Sequence, residues 1–301
     1  YGERASLASG LLSAVGPRPP EGLAEEYVLC LVNTIVGDGD DPAEPERLAR
    51  ADALLTSLEG PLRLPFLIVL WSLVGGPGRA MEERVRDQVG DHPWGRALLD
   101  LGRGFQELFA GRPRDSEAAF ARALAAFREN GDRWGMANCL DPLAMFADWR
   151  GERARALELL DEGLAHVVEL GAPEETGDLL HQRATVLLHG GALEDAADHF
   201  RRAEERARTV GVRDKVATAR RGLGDVARLR GDTARARAYY EDALQACAAN
   251  WFSVAETARV FTGLGRVALA ESRPEEAADW FEQTRVLAVD APGVGELAEV
   301  A

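Results

Sequence analysis

The sequence predicts an all-α fold, a right-handed superhelical solenoid of antiparallel helical hairpins, and three observations carry that expectation. Glycines at the turns recur at Gly111, Gly151, Gly191 and Gly231, 40 residues apart each time, with Ser272 following after 41. Small and large apolar residues recur in fixed register around those turns. Strand signals are missing: alanine, leucine, arginine and glutamate dominate the periodic segments, and no Val/Ile/Thr run alternates with polar residues.

The register is specific enough to assign each position a job. Five residues past the turn stand Ser116, Ala156, Ala196, Ala236 and Ala277, and nine past it Phe120, Leu160, Phe200, Tyr240 and Phe281. Twelve past it come Ala123, Gly163, Ala203, Ala243 and Thr284; seven before it come Gly104, Ala144, Ala184, Gly224 and Gly265. Small residues belong where one helix approaches another closely, and a large apolar residue belongs where the gap must be filled. Gly131, Gly171 and Gly211 mark a second turn halfway through each unit. Each half-unit is therefore one helix of about 17 residues, roughly 25 Å long, plus its turn. Pro113, Pro173 and Pro274 fall where a first helical turn accepts proline.

Regular repeats fill 94–301, and residues 1–93 are expected to be divergent hairpins of the same array, with helical patterns near 3–15, 21–36, 44–58, 62–74 and 79–89. The stretch GDGDDPAEPE at 37–46 reads as an acidic turn, because Asp38, Asp40 and Asp41 lack the bidentate glutamate and central glycine of a calcium loop. The greasiest run, LPFLIVLWSLVGG at 64–76, is too short to span a bilayer and contains Pro65, so it reads as a buried helix. The chain opens on Tyr1 inside a helical pattern, which is the pattern of a piece cut from a longer protein.

With 46% apolar residues in 301, the chain can bury a continuous core. The absence of a basic-then-apolar leader, and three widely spaced cysteines (Cys30, Cys139 and Cys247), predict reduced thiols in a cytoplasmic protein. A net charge of −15 opposes contact with nucleic-acid phosphates or anionic lipid. That acidity is uneven: 213–270 carries +4, leaving −19 for the remainder. Lys215 is the only lysine, and the other 34 basic residues are arginine, a bias like that of a GC-rich genome.

The pattern Leu223-Gly224, Gly231-Asp232, Ala236, Tyr240 and Ala243-Leu244 resembles the tetratricopeptide repeat, as does Leu264-Gly265 with Ala277 and Phe281. Its period of 40 exceeds the usual 34 of that repeat, so both helices are lengthened. The stretches DRWGMANCLDPLAMFADWRGERARALELL and RRGLGDVARLRGDTARARAYYEDAL further resemble the C-terminal repeat region of actinobacterial SARP/AfsR-like transcriptional regulators. Those combine a DNA-binding domain, a STAND-type nucleotide-binding ATPase module and a tetratricopeptide region. The resemblance implies a noncatalytic sensor domain that binds a protein, peptide or effector and controls an adjacent STAND module, with the regulator's own ATPase and DNA-binding domains among its partners.

No constellation for catalysis, cofactor or metal stands out, and no cofactor is expected in this segment. Lys215 follows Asp214 and not a glycine, so a GxxxxGK[ST] phosphate loop is impossible. Gly222-Leu223-Gly224 and Gly263-Leu264-Gly265 imitate a dinucleotide fingerprint, but no strand precedes either and both fall on the close-packing column. The five histidines offer neither HExxH nor zinc-finger spacing; only His189 and His199 are placed to meet across a turn, as a solvated or hydrogen-bonded pair or, less simply, at a metal.

A solenoid of this type exposes the first helix of each hairpin on its concave face. Counting from the small column, the lining is Leu101, Phe105 and Leu108, then Asp141, Met145 and Asp148, then His181, Thr185 and Leu188, then Arg221, Asp225 and Arg228, and last Thr262, Arg266 and Leu269. The wall passes from apolar through acidic to basic. Arg221, Arg228 and Arg266, with Arg259 one turn before Thr262, admit two readings: an anion-attracting patch, or a solvated face whose arginines pair with Asp225 and Glu256. The Trp94-Gly95 and Trp134-Gly135 pairs read either as aromatic anchors for a ligand or as seals at hairpin junctions. The alternative to a regulator's sensor is a free-standing scaffold or peptide receptor; an enzyme has the least support.

Overall fold

The computed structural model describes residues 2–35, 44–58, 61–67, 69–70, 89, 92–247 and 251–290. Among them are thirteen α-helices and no strand. The helices are α1 (Gly2–Val15), α2 (Ala24–Ile35), α3 (Glu44–Ser57), α4 (Pro93–Phe109), α5 (Pro113–Asn130), α6 (Arg133–Trp149), α7 (Arg153–Leu170), α8 (Pro173–His189), α9 (Leu193–Val210), α10 (Arg213–Leu229), α11 (Thr233–Ala246), α12 (Trp251–Ala270) and α13 (Pro274–Asp290). They gather into two compact units, 1–139 and 140–301, whose boundary falls inside α6. Residues 37–43 of the acidic stretch lie outside the described residues and 44–46 begin α3; the helical pattern at 79–89, apart from Val89, and the end of the greasy run past Leu70 also lie outside them.

Every turn named from the sequence is built alike. Gly111, Gly131, Gly151, Gly171, Gly191, Gly211 and Gly231 all take positive φ. After each, the next backbone N–H reaches the carbonyl five residues back, as in Asp132 to Phe127 at 3.0 Å, Ala192 to Leu187 at 2.9 Å and Asp232 to Ala227 at 3.0 Å. This closure satisfies carbonyls that a helix end leaves open, and it needs the left-handed backbone that glycine adopts without a Cβ clash. Ser272 substitutes in the last turn at φ 59, with Arg273 N–H on the Ala268 carbonyl at 2.8 Å.

The packing columns are the seam of each hairpin. Ser116, Ala156, Ala196, Ala236 and Ala277 are all buried, as are Phe120, Leu160, Phe200 and Tyr240. Phe281 is only half-buried, and no hairpin beyond α13 lies among the described residues to cover it. A Cβ on Gly104 would meet the Phe120 ring at 2.6 Å, one on Gly224 the Tyr240 ring at 2.7 Å, and one on Gly265 the Phe281 ring at 2.4 Å. The first glycine of each Gly-Leu-Gly faces backwards: Gly222 touches Phe200 of the preceding hairpin, and Gly263 touches Tyr240. Two glycines thus let one helix lie against large rings on both sides, which is why the dinucleotide-like spacing occurs without a strand.

In the unit 1–139, α1 packs on α2 and α2 on α3 around Val28, Leu31, Val32, Ala51 and Leu67. The buried Glu25 carboxylate accepts from the backbone N–H groups of Arg63 at 3.0 Å and Leu64 at 2.7 Å, tying the following loop to α2. Trp94 donates its indole N–H to Asp132 at 2.5 Å, and Trp134 meets Phe66 edge-on with centroids 5.1 Å apart. Both tryptophans therefore serve as seals between helices. Phe105 stands half-exposed against Phe120 and Phe109, whereas Leu101, expected on the open face, is completely buried in α4.

Candidate interaction face

In the unit 140–301, each hairpin's first helix also touches the first helix of the next: α8 meets α10, and α10 meets α12. With the end of α6 these helices carry eight of the nine candidate site residues, and Phe105 belongs to the other unit. The face they present is densely ionic.

At its acidic end the only lysine is the organising group. Lys215 Nζ on α10 donates to Asp178 at 2.5 Å and Glu174 at 3.1 Å, both on α8. Burial disfavours the ammonium, but the two carboxylates outweigh it and hold Lys215 charged well above the usual lysine range. Asp141 on α6 faces the same group; burial first, and then the charge of Asp178, push its carboxyl up to about 7 against the pull of Lys215. Two carboxylates thus hold one ammonium, and Asp141 feels its charge without a direct contact. Beside them lies a cleft of about 110 Å³, with Glu174, Asp178, His181 and Lys215 at its polar side and Ala203, Ala207 and Val210 of α9 at its apolar side. Its size suits one side chain of a ligand.

His181 joins this end to the basic end. Its ring leans on Phe200 with centroids 5.3 Å apart, and its Nδ1 is buried without a hydrogen-bond partner. Burial, reinforced by the charges of Arg221 and Arg259, pushes the imidazole down to about 3, so the ring is neutral at physiological pH.

The basic end is a network. Arg221 donates from Nε to Glu256 at 2.5 Å and from Nη1 to Asp225 at 2.9 Å. Asp225 also accepts from the Tyr240 hydroxyl at 2.8 Å and pairs with Arg228 at 3.5 Å. Glu256 meets Arg259 at 3.5 Å. The reading in which these arginines pair with Asp225 and Glu256 therefore describes Arg221 fully and Arg228 and Arg259 in part. Arg266 is exposed.

Other sequence expectations settle differently. Thr262 is 2% exposed, its hydroxyl donating to the Ala258 carbonyl at 3.0 Å beneath Thr284 of α13, so it belongs to the seam and not to the face. Met145 is half-buried. Asp148 is nearly buried and pairs with His189 Nδ1 at 2.5 Å, while His199 bonds the Asp195 carbonyl; the two histidines turn to different partners and do not meet. Sequence reasoning missed Glu174, Asp178 and Lys215 as a cluster. The available signal was a solitary lysine in an otherwise arginine-only chain.

Residues 175–249 and 215–285 match the model of the tetratricopeptide repeat. Residues 175–285 are tetratricopeptide repeats. No curated protein matches the chain in sequence. Among solved structures, NprR in complex with its cognate peptide NprX is similar at a TM-score of 0.65 and 13% identity, over 93% of this chain and 82% of that one. A Rap protein complexed with Competence and Sporulation Factor gives 0.63 and 13%, over 98% and 90%. The Rap conjugation gene regulator of plasmid pLS20, in complex with the Phr* peptide, gives 0.60 and 17%, over 91% and 76%. At these identities the common property is the stack of helical hairpins.

Proposed function

We propose that the chain is a noncatalytic recognition domain that binds a peptide, or an extended segment of a protein, along α8, α10 and α12. The observation that carries this reading is the character of that face. Polar side chains of α8 and α10 meet there at a cleft of side-chain size, and His181 Nδ1 and Arg228 Nε, buried on the same face, are left without hydrogen-bond partners. Buried polar atoms normally find partners, and an arriving backbone or side chain supplies them. The similar folds solved with NprX, Competence and Sporulation Factor and Phr* add support, since those proteins hold peptides.

The resemblance to SARP/AfsR-like regulators supplies the finer reading. The array would then act as the sensor of a transcription regulator, and ligand binding would shift an adjacent STAND module between inhibited and assembly-competent states. A coupling of about 1–3 kcal/mol is sufficient for such control. The free-standing peptide receptor is favoured by the peptide-bound structures of the same fold.

Hydrogen exchange of the full chain with and without a bound peptide tests the recognition reading. Slowed exchange is expected in α8, α10 and α12; protection confined to α1–α3 would refute it. Deleting this region from its intact gene product separates the finer readings. A regulator's sensor alters nucleotide-dependent oligomerisation or transcription when removed, whereas a free-standing receptor is encoded without ATPase or DNA-binding modules.

A further inference from the structure

Helix α1 has two apolar sides, and the core of α2 and α3 covers only one of them. Successive residues of a helix lie about 100° apart, which sorts α1 into three sides. On the first, Ala8 is buried and Leu12 packs on the core of α2 and α3. On the second, Ser6, Ser9 and Ser13 are all exposed. The third carries Leu7, Leu11 and Val15, one turn apart and 63%, 56% and 43% exposed. A surface helix turns polar residues to water, and in α1 the serines already form that side. Leu7, Leu11 and Val15 therefore make an apolar ridge without a partner in this chain among the described residues.

That side is shaped as well as apolar. Beside the ridge lies a groove made by exposed Gly10 and Ala14, and a Cβ on Gly10 would have open space around it. A ridge of residues four apart packs into a groove of the same spacing on another helix. Reversing α1 about a two-fold axis between Gly10 and Leu11 sets Leu11 over the partner's Gly10 and Leu7 over the partner's Ala14. Each pair joins a large apolar residue to a small one, the rule that sets Phe120 against Gly104 and Tyr240 against Gly224 inside the hairpins. A two-fold contact demands this kind of self-complementarity. The charge pattern permits it too. Residues 5–17 contain no charged side chain, so two copies of a chain with net charge −15 can meet here without like charges in contact. The same net charge, with no cation in 5–17, disfavours an anionic lipid surface as the occupant.

We propose that this side of α1 is a self-association surface, on which two copies of the chain pair their first helices antiparallel, ridge into groove. The contact is small. A 14-residue helix is about 21 Å long, and one helix pair buries less than the roughly 1,200–2,000 Å² of a standard interface. The dimer is accordingly weak, with a dissociation constant on the order of 10–100 μM. It uses no residue of α8, α10 or α12, so it stands independently of the peptide-binding reading.

Sedimentation equilibrium of the full chain, from about 2 to about 300 μM, tests the surface by bracketing that constant. A monomer–dimer equilibrium is expected. Leu11→Glu places a carboxylate beside the axis in both copies and should weaken the dimer at least about tenfold. Ser9→Glu adds the same charge on the serine side and should change the constant by less than about twofold. Gly10→Leu separates shaped pairing from mere stickiness. It makes the side more apolar and meets nothing in its own chain, yet it fills the groove and should weaken the dimer about tenfold. Circular dichroism and melting temperature are measured for each variant; Gly10→Leu should keep or raise the melting temperature, because glycine is a poor helix former. A chain that stays monomeric throughout the range overturns the proposal. So does growth past the dimer, association that Leu11→Glu leaves unchanged, or association that Gly10→Leu strengthens.

Discussion

The seam inside each hairpin and the ionic face of the first helices are built from the same helices by opposite rules. In the seam, glycine or alanine faces a large apolar side chain, and the pattern repeats with every turn. On the face nothing repeats: Asp141, His181 and Arg221 occupy equivalent register positions on successive hairpins, with three different chemistries. The comparison teaches that repetition secures the stack and departure from it creates the means of recognition. Tyr240 belongs to both, since its ring fills the pocket between Gly224 and Gly263 while its hydroxyl donates to Asp225 on the face. Burial first, and then the charge of Asp225, hold its phenol well above the usual tyrosine range.

Substitutions at the seam should therefore cost most. Tyr240→Ala empties a completely buried site and should destabilise the chain by about 3–5 kcal/mol in chemical denaturation. Tyr240→Phe keeps the ring and loses only the hydroxyl's bond, at about 1 kcal/mol. If the two variants lost the same amount, the distinction between seam and face would not hold at this residue.

Next in size is Lys215→Met, which leaves Glu174 and Asp178 without their ammonium. A fully buried pair loses about 3–5 kcal/mol on such a change, and because these groups are partly exposed about 2 kcal/mol is expected. The loss should appear as faster hydrogen exchange where α8 meets α10, with the seam residues of α12 and α13 unaffected. Uniform acceleration throughout the unit would show that the lysine braces more than the face.

A smaller effect, of opposite sign, tests the charge balance. Asp141 has its carboxyl raised to about 7, so between about pH 4 and 7 the folded state holds a proton that the unfolded state has released. Its stabilising contribution is thus complete below the unfolded value and is lost as pH rises through 7. Asp141→Asn should raise the melting temperature at pH 8 by roughly 2–4 °C, equivalent to about 1 kcal/mol, with the gain vanishing near pH 4. A gain independent of pH would assign the effect to packing.

The smallest prediction concerns the turns. Ser272 occupies the left-handed backbone that glycine holds in the other turns, and Ser272→Gly should stabilise by about 0.5–1 kcal/mol in thermal unfolding. The reverse experiment, Gly231→Ala, should cost a similar amount. Nothing on the ionic face should respond to either.

How much was legible beforehand follows the same division. The turns and four burial columns could be read because each is stated up to five times and each expresses a local need, a left-handed residue or a volume match. Lining positions were less secure. Leu101, Asp148 and Thr262 were expected on the open face and are buried, because a register counted from one small residue fixes direction to within about one position in a 3.6-residue turn, and α13 covers Thr262 through Thr284. The cluster of Glu174, Asp178 and Lys215 gave no periodic signal at all.

What the sequence by itself determined is the stack: where each helix turns back, which residues meet inside a hairpin, and which faces carry charge. Those are short-range consequences of backbone conformation and side-chain size, repeated until they cannot be mistaken. What only the tertiary structure decided is which charges pair. Lys215 could meet many carboxylates and meets two that lie 37 and 41 residues away, and Arg221 reaches Glu256 across 35. Coulomb attraction has no register in sequence; it depends on which side chains the packed helices bring within a few ångströms.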